Sequence, residues 1–450
     1  MSPARRWLVG PFVALAVVLA TVPAAGAASS PAPRTPIRHF ISLMQENHTF
    51  DNYFGTYPGA DGISSGTCMP IGAAARPCFR PFHLGDNSIA QRDLDHSSAT
   101  YRLQYNGGQL DGFIRALKLR NQDGRLAMGY RDGRDLPYYW NLADQYVLYD
   151  RFFSSAGAGS FLNHIYWVTG SPGEGYDRVP PNGFSNLPTI FDRLEAKGIS
   201  WKFYVQNYEP RLTRRTINQF PGNRASQVIW VPLLNYDRYL DNPKLMRHVV
   251  DLSEFYKDAE SGNLPAVSYI APSGPSEHPP SSIASGQAFV RSLINALMRS
   301  SDWKSSAFLL SYDDWGGWYD HVKPPQVDQY GYGFRVPSLL VSPYARQGYI
   351  DKTTLDFTSI LRFIEDNWNL RPLTSRDARA HSIASGFDFG QAPREAAFVS
   401  AHRGLAEQST VNRGLIYLIY LGALAIPIGL MVWAAVRARR RPAASEGVGR

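Results

Sequence analysis

Two adjacent carboxylates, Asp313 and Asp314, are the first candidates for chemistry in this chain. They follow residues 307–312, an apolar run that is too short for a helix and is bounded like a buried strand. In open α/β sheets, ligands bind just beyond the carboxyl ends of the strands, where these two side chains would emerge. Neighbouring ionised carboxylates repel each other, so they need a cation or a shared proton. A solvated turn is the alternative interpretation of an isolated Asp-Asp pair.

A second stretch repeats this pattern. Residues 39–44 form another apolar, strand-like run that leads directly into Glu46, Asn47 and His48. Because the same arrangement of strand and polar side chains occurs twice, we favour a functional site over two unrelated turns.

A third stretch places a hydroxyl group, that of Ser160, where a helix is expected to begin. Strand-like residues 152–153 give way there to the small residues 154–159. A helix N-terminus carries free backbone N–H groups and the positive end of the helix dipole, so it favours phosphate. Ser160 could attack phosphorus, and Asn163, one turn later on the same face, could donate to a phosphoryl oxygen. An ordinary serine N-cap is the alternative.

Two other hydrolase classes do not fit the sequence. Ser160 does not lie within G-x-S-x-G, the elbow motif of α/β-hydrolases. The chain also has no G-x-x-x-x-G-K-[ST] loop, so ATP hydrolysis of the P-loop type is not supported.

The three stretches resemble, in chain order, the motifs of one known family. Residues 46–51, 160–164 and 312–322 resemble motifs of the phosphoesterases that include bacterial acid phosphatases and the non-specific or phosphatidylcholine-hydrolysing phospholipases C of bacteria and plants. Residues 106–113, which follow Asp95 and His96, and residues 276–280 resemble further segments of that family. The likeness extends from about Ile37 to Asp377.

This resemblance implies a fold, a mechanism and a set of site residues. The fold would be alkaline-phosphatase-like, and Ser160 would be a nucleophile that forms a phosphoseryl intermediate. One divalent metal ion, Ca²⁺, Mg²⁺ or Zn²⁺, would be held by four residues: Glu46, Asn47, Asp313 and Asp314. The phosphoryl group would be surrounded by four more: Asn163, His96, His278 and His321. Such an ion neutralises phosphate charge, and a protonated histidine can protonate a leaving alkoxide.

Three positions depart from the family pattern. Asp314 replaces the more usual Glu, Trp315 stands where many members have His, and His164 stands where Arg is common. We expect these changes to alter the substrate or to weaken the activity.

The remaining chain predicts the scaffold that positions these residues. Strand-like runs occupy residues 40–44, 146–153, 201–205, 266–270, 307–312 and 336–342. Amphipathic, helix-like segments occupy residues 187–197, 286–299 and 358–368. Continuous apolar strands that alternate with such helices predict an α/β three-layer sandwich with a mainly parallel central sheet.

The ends of the chain predict export and a membrane anchor. A basic pair, Arg5 and Arg6, precedes a short apolar run, which is typical of a signal peptide. An uncharged segment of 23 residues lies near the other end and is followed by arginines, which is typical of a transmembrane helix. The predicted organisation is a signal peptide over 1–27, a spacer over 28–36, the phosphoesterase domain over 37–395, a stalk over 396–413, a transmembrane helix over 414–436 and a cytosolic tail over 437–450.

Two cysteines, Cys68 and Cys78, lie in one loop rich in Gly, Ala and Pro. With an export signal, a disulfide that closes the loop is expected. A CxxC-type metal pair is excluded because nine residues separate them and no second pair exists.

The net charge of +8 does not indicate nucleic-acid binding. The two N-terminal arginines and the tail, with five arginines and one glutamate, account for +6 of that charge. The remaining body is close to neutral and has no Lys/Arg run, so a nucleic-acid partner is not expected.

These observations favour an exported, membrane-anchored phospholipase C that cleaves phospholipid phosphodiesters. An acid phosphatase acting on small phosphate monoesters is one alternative. A surface binding protein that keeps the fold without turnover is another. The expected location is the cell membrane, with a single span and the catalytic domain outside the cytoplasm.

Overall fold

An eight-stranded sheet positions the three informative stretches. The computed structural model describes residues 31–72, 77–85, 92–173, 177–220, 226–279, 281–404 and 413–439. The predicted signal peptide, residues 1–27, lies outside these ranges. The strands are β1 (His39–Gln45), β2 (Met69–Pro70), β3 (Cys78–Phe79), β4 (Phe82–His83), β5 (Gly129–Tyr130), β6 (Val147–Tyr149), β7 (Trp201–Val205), β8 (Val249–Asp251), β9 (Val267–Ala271), β10 (Ser306–Tyr312), β11 (Ser338–Val341) and β12 (Tyr349–Asp351).

The α-helices of the described chain include α5 (Ser160–Thr169), which carries the nucleophile candidate. They are α1 (Phe50–Phe54), α2 (Ser98–Tyr105), α3 (Phe113–Lys118), α4 (Pro137–Gln145), α5 (Ser160–Thr169), α6 (Ile190–Lys197), α7 (Gln227–Trp230), α8 (Asp237–Leu240), α9 (Pro243–Met246), α10 (Ser253–Ser261), α11 (Ile283–Arg299), α12 (Phe357–Trp368), α13 (Ser375–Arg379) and α14 (Arg413–Arg439).

The central sheet is mainly parallel, which confirms the prediction. Its strand order is β12-β6-β11-β10-β1-β9-β7-β8, and both antiparallel pairings within it involve β11. The remaining pairs are parallel, including β1 with β10 and β1 with β9. Two small two-stranded sheets, β2-β3 and β4-β5, lie apart from it in the described chain.

Helices cover both faces of the sheet. On one face, Trp167 of α5 donates to the hydroxyl of Ser42 in β1. Side chains alternate between faces along a strand, and Gln45 of β1 is in register with Tyr312 of β10, so Tyr312 lies on the opposite face. There, Tyr312 shares the carboxylate of Glu277 with Tyr139 of α4. The sheet is therefore the middle of three layers.

The two central strands, β1 and β10, are almost completely buried. All seven residues of β10 are buried, and only His39 of β1 is partly exposed. A strand covered on both faces presents mainly apolar side chains to both of them, and this explains the near-continuous apolar runs in the sequence.

A disulfide joins Cys68 to Cys78, as predicted. It links the start of β3 to the residue before β2 in a loop that contains the two-stranded sheet β2-β3. This sheet is too small to be stable alone, so the covalent link is a main constraint on the loop.

The C-terminal predictions fare differently from the central ones. Across the part of the chain that the structure describes, no helix is long and apolar enough to cross a membrane. The predicted transmembrane helix over 414–436 is therefore not supported, although α14 covers those residues as a helix. Within the predicted stalk, Val399 is buried and Arg403 forms an ion pair with Asp144. Most of the predicted tail lies outside the described residues.

Candidate active site

The carboxyl ends of β1 and β10 bring the first two stretches together. Asp313 follows β10, and its backbone N–H donates to the carbonyl of Gln45 over 3.0 Å. Its carboxylate Oδ1 accepts from the backbone N–H groups of Asn47, at 2.9 Å, and of Asp314, at 2.7 Å. Residues some 270 positions apart in the sequence are thus fixed side by side, as adjacent parallel strands require.

The Gly-Gly turn after Asp314 is required by this close approach. Gly316 and Gly317 have φ angles of +57° and +81°, which side-chain-bearing residues rarely adopt. A Cβ atom on Gly316 would lie only 2.1 Å from the carbonyl oxygen of Asn47. The backbone N–H of Gly316 donates to Asp314 Oδ1 over 2.7 Å, which orients the second carboxylate.

Three carboxylates converge at this point without a paired Lys or Arg in the described chain. Glu46, Asp313 and Asp314 are completely buried. In the described part of the chain, no Lys or Arg forms an ion pair with any of them. Burial, and then the charge of Asp313, raises the pKa of Glu46 and that of Asp314 well above their usual values.

Ser160 lies directly against these carboxylates. It is the first residue of α5, and its Oγ is 3.3 Å from both Glu46 Oε2 and Asp314 Oδ2. The N-cap position belongs to Gly159, so the alternative of an ordinary serine N-cap is wrong. The structure therefore places a hydroxyl, two carboxylates and a helix N-terminus at one point.

Asn163 does not face this point. Its Oδ1 accepts from the backbone N–H of Ala156 over 3.0 Å, and its Nδ2 donates to the carbonyl of Ala158 over 2.9 Å. The side chain is completely buried. Its amide thus holds the loop that precedes Ser160, and the expectation that it donates to a phosphoryl oxygen does not match this geometry.

His96 and His278 form the other wall of the site. Their ring centroids are 6.0 Å apart, and a Cβ atom on Gly159 would lie 3.7 Å from Cδ2 of His96. Nδ1 of His96 is 2.7 Å from the carbonyl of Leu94, and Nδ1 of His278 is 2.8 Å from that of Pro279. Each ring thus has its Nδ1 engaged by backbone, which leaves Nε2 for a substrate. Both rings lower the pKa of Glu46, against the effect of burial.

His321 belongs to a different cluster. Its Nδ1 is 2.7 Å from Asp51 Oδ2, and its Nε2 is 3.3 Å from Asp61 Oδ1. Arg335 completes the cluster through ion pairs with Asp51, at 3.0 Å, and Asp320, at 2.9 Å. Among the described contacts, none joins His321 to Ser160 or to the three converging carboxylates, so the structure does not bring it together with the other candidates.

His164 is a site residue that the sequence analysis considered only as a departure. Its Nε2 is 3.0 Å from Glu46 Oε1 and 3.9 Å from Asp313 Oδ2, and the ring is completely buried. Burial lowers its pKa to about 4, so the ring is neutral at physiological pH. The sequence did contain a signal for it, since residues 160 and 164 lie one helical turn apart on the same face.

The donor set fits a divalent cation. Asn47 Oδ1 and Asp313 Oδ2 are buried and have no hydrogen-bond partner within the described chain. Buried polar atoms without partners are rare and costly, whereas such oxygens are the ligands that divalent cations take. The four predicted ligands Glu46, Asn47, Asp313 and Asp314 thus share one location, and their surplus negative charge is what a cation would neutralise.

A family model described as the Phosphoesterase family matches residues 37–371. The chain belongs to this family. It is accordingly a hydrolase that acts on phosphoester bonds, which confirms the resemblance.

Curated relatives of this phosphoesterase include bacterial phospholipases C. Phospholipase C A of Mycobacterium tuberculosis is 28% identical over 424 residues, which cover 82% of this chain and 80% of that protein. The non-hemolytic phospholipase C of Burkholderia pseudomallei is 28% identical over 400 residues, which cover 74% of this chain and 55% of that protein.

Solved structures resemble the phosphoesterase more distantly. A protein of the alkaline phosphatase superfamily from Vibrio parahaemolyticus is 11% identical, with a TM-score of 0.36, and the match covers 75% of this chain and 68% of that one.

Trp315, the second departure from the family pattern, serves the scaffold of the phosphoesterase. The indole is completely buried, and its Nε1 donates to Gln104 over 2.6 Å. It packs against Tyr101 and Phe334, so it connects the Gly-Gly turn to a second apolar core around α2 and α3. Trp315 is thus a packing residue at this position.

A cavity of about 770 Å³ opens beside His278. Its walls include His278 and Pro279 on one side and Tyr208, Glu209 and Trp230 on the other. The cavity offers room for a substrate group next to one of the two candidate acid residues.

Proposed function

We propose that this phosphoesterase is a phospholipase C that cleaves phospholipid phosphodiesters with Ser160 as nucleophile. The observation that carries the proposal is the position of Ser160 Oγ, 3.3 Å from both Glu46 and Asp314 at the start of α5. The names of the curated relatives support phospholipids as the substrate class. The cavity beside His278 supports a substrate that is larger than phosphate itself.

The ligands of the proposed cation are Glu46, Asn47, Asp313 and Asp314. A bound divalent cation would supply positive charge that neutralises the phosphate and favours the ionised serine. The geometry of Asp313 supports its role, since Oδ1 is held by two backbone N–H groups while Oδ2 has no described partner.

Ser160 attacks the phosphorus, and the P–O bond to the glycerol oxygen breaks. Before attack, the hydroxyl donates its proton towards Glu46 Oε2 or Asp314 Oδ2, the two oxygens within 3.3 Å. The backbone N–H groups at the start of α5 face the phosphoryl oxygens, where the helix dipole favours negative charge. Asn163 acts indirectly by holding residues 156–159 in the shape that presents the hydroxyl.

His96 and His278 handle the leaving group and the second step. A protonated ring donates from Nε2 to the departing alkoxide and afterwards takes a proton from the water that hydrolyses the phosphoseryl intermediate. Their Nδ1 contacts to backbone carbonyls orient both rings for this role. General acid catalysis of this kind contributes about 10²–10⁴-fold in rate.

Substitution of Ser160 by alanine tests the nucleophile. We expect hydrolysis of phosphatidylcholine to fall at least about 1000-fold while the fold is kept. Ser282→Ala is the matched control, since Ser282 also begins a helix and caps α11 through Ser285 N–H. It should cost about 1 kcal/mol in stability and leave the rate unchanged. A Ser160→Ala enzyme that hydrolyses as fast as wild type contradicts the assignment.

The products identify the substrate class. Diacylglycerol and a phosphorylated head group are the expected products with phospholipid vesicles. Release of inorganic phosphate from small monoesters, without cleavage of phospholipids, would instead identify an acid phosphatase.

We also propose that the domain functions outside the cytoplasm. The Cys68–Cys78 disulfide supports this location because such bonds persist in oxidising compartments. In intact cells of the source organism, a maleimide should label neither cysteine before reduction. Labelling of both without reduction would contradict the proposal.

A further inference from the structure

The four oxygen ligands do not exhaust the donors around the proposed cation. His164 is completely buried and presents Nε2 to the same point as Glu46 and Asp313. Its distances are 3.0 Å to Glu46 Oε1 and 3.9 Å to Asp313 Oδ2. At metal–ligand distances of about 2.1 Å, two ligands of one ion lie no more than about 4.2 Å apart, so both distances from His164 fit a shared ion.

The second observation is the unpartnered oxygen that His164 faces. Asp313 Oδ2 is fully buried and has no hydrogen-bond partner in the described chain, although Asp313 Oδ1 has two. A histidine that served only as a hydrogen-bond donor to Glu46 would leave this oxygen unexplained. A cation between Nε2 and the two carboxylates accounts for all three groups.

We propose that His164 Nε2 is itself a ligand of the metal and that it sets which metal the enzyme takes. Imidazole nitrogen is a good ligand for first-row ions such as Zn²⁺, Fe²⁺ and Ni²⁺, whereas Ca²⁺ and Mg²⁺ prefer oxygen throughout. The combination of one nitrogen with carboxylate and amide oxygens therefore selects a transition ion over Ca²⁺ and Mg²⁺. This inference rests on the metal site of the proposed function and specifies its occupant.

The chain offers a matched control. His83 also faces two carboxylates, with Nε2 2.6 Å from Asp135 Oδ2 and 3.9 Å from Asp132 Oδ2. This cluster is partly exposed, and Asp132 is already paired with Arg134. His83→Gln thus removes a similar histidine-carboxylate group without touching the active site, and it reports any metal bound adventitiously there.

The test measures metal affinity, not turnover. Chelator-stripped wild type, His164→Gln and His83→Gln are titrated with Zn²⁺, Mn²⁺, Ca²⁺ and Mg²⁺. We expect wild type and His83→Gln to bind Zn²⁺ at least about 100-fold more tightly than Ca²⁺. In His164→Gln, Zn²⁺ affinity should fall by at least about 10-fold while Ca²⁺ affinity changes little. An unchanged ratio of Zn²⁺ to Ca²⁺ affinity in His164→Gln would overturn the proposal.

A spectroscopic measurement on wild type keeps the proposal testable if the variant does not fold. Protein loaded with one equivalent of Mn²⁺ should show electron spin-echo modulation from a coordinated imidazole nitrogen. Bound Mn²⁺ without that modulation would overturn the role of His164 and leave the oxygen site intact. Failure of wild type to bind any of the four ions would overturn the metal site of the proposed function as well.

Discussion

Two buried acidic clusters lie at the same end of the sheet, and they neutralise their charge differently. Asp51 and Asp320 are completely or almost completely buried and both pair with Arg335, whose side chain is also completely buried. Glu46 and Asp313 are equally buried, but the described chain provides them with no Lys or Arg. Both clusters arise from the same two segments, residues 46–51 and 313–321.

The difference separates a structural cluster from a reactive one. A buried carboxylate pair that forms ion pairs with an arginine is neutralised within the protein, and these ion pairs hold its segments together. A buried carboxylate group without one needs an external cation, and the oxygens left unpartnered mark where that cation would bind. His321 joins the first cluster, and His164 joins the second.

Removal of the Arg335 guanidinium should have the largest effect on stability. Arg335→Met would leave Asp51 and Asp320 buried without a counter-ion and should cost about 3–5 kcal/mol of unfolding free energy. Chemical denaturation measures the loss, which should be equal with and without EDTA. A loss that appears only when metal is present would show that Arg335 and the metal site are coupled, which contradicts the distinction between the clusters.

Glu277 shows a third way to bury a carboxylate and gives the next largest effect. Burial raises the pKa of Glu277 to about 7, although hydrogen bonds from the hydroxyls of Tyr139, Tyr53 and Tyr312 lower it. Since this value exceeds that of the unfolded chain, the stabilisation is complete below about pH 4.5 and is lost as the pH rises through 7.

The neutral variant Glu277→Gln should remove that dependence on pH. Relative to wild type, it should gain about 3 kcal/mol in unfolding free energy between pH 4.5 and pH 8. Denaturation at a series of pH values measures the gain. A constant difference between the two proteins would show that Glu277 does not titrate in this range.

One substitution made in each cluster gives a smaller effect of opposite sign. Asp313→Asn removes one of several like charges and should stabilise the metal-free protein by on the order of 1 kcal/mol. Asp320→Asn removes a partner of Arg335 and should destabilise it. Thermal unfolding in EDTA compares the two variants. Equal signs would contradict the distinction between the clusters.

His321 should have the smallest effect on turnover. Burial opposes its protonation, but the hydrogen bond and charge of Asp51 outweigh burial and raise the pKa of His321. Its contribution to stability is thus present below about pH 6.5 and is lost as the pH rises above its folded-state pKa. His321→Gln should change kcat by less than about threefold near pH 7, whereas His278→Gln should lower it by about 10²–10⁴-fold. Similar losses of kcat in both variants would show that His321 takes part in catalysis.

Much of the scaffold could be predicted because the buried strands are marked by continuous apolar runs. Residues 201–205 were predicted as a strand and form β7, and the runs at 40–44 and 307–312 lie within β1 and β10. β8 and β12 were not predicted because each has only three residues, ends in Asp and is defined by pairing with a neighbour. β6 is equally short, but it lies within the longer strand-like run over residues 146–153.

The sequence predicted the part of the site that lies at the carboxyl ends of β1 and β10. The convergence of Glu46, Asp313, Asp314 and Ser160 follows from parallel strands and a helix start. The placement of Asn163, His164 and His321 depends on their tertiary contacts, which the local sequence does not specify. Arg335 lies just before β11 and contacts Asp320 and Asp51. The sequence around His321 gives no sign of this contact.

The most direct test of the account is the metal content of the purified protein. After equilibration with divalent ions and removal of excess, elemental analysis of wild type should give about one ion per chain. Asp313→Asn should give much less, and Arg335→Met, if folded, should keep the ion. Wild type without bound metal, at unchanged stability, would contradict the claim that the Glu46–Asp313–Asp314 cluster depends on an external cation.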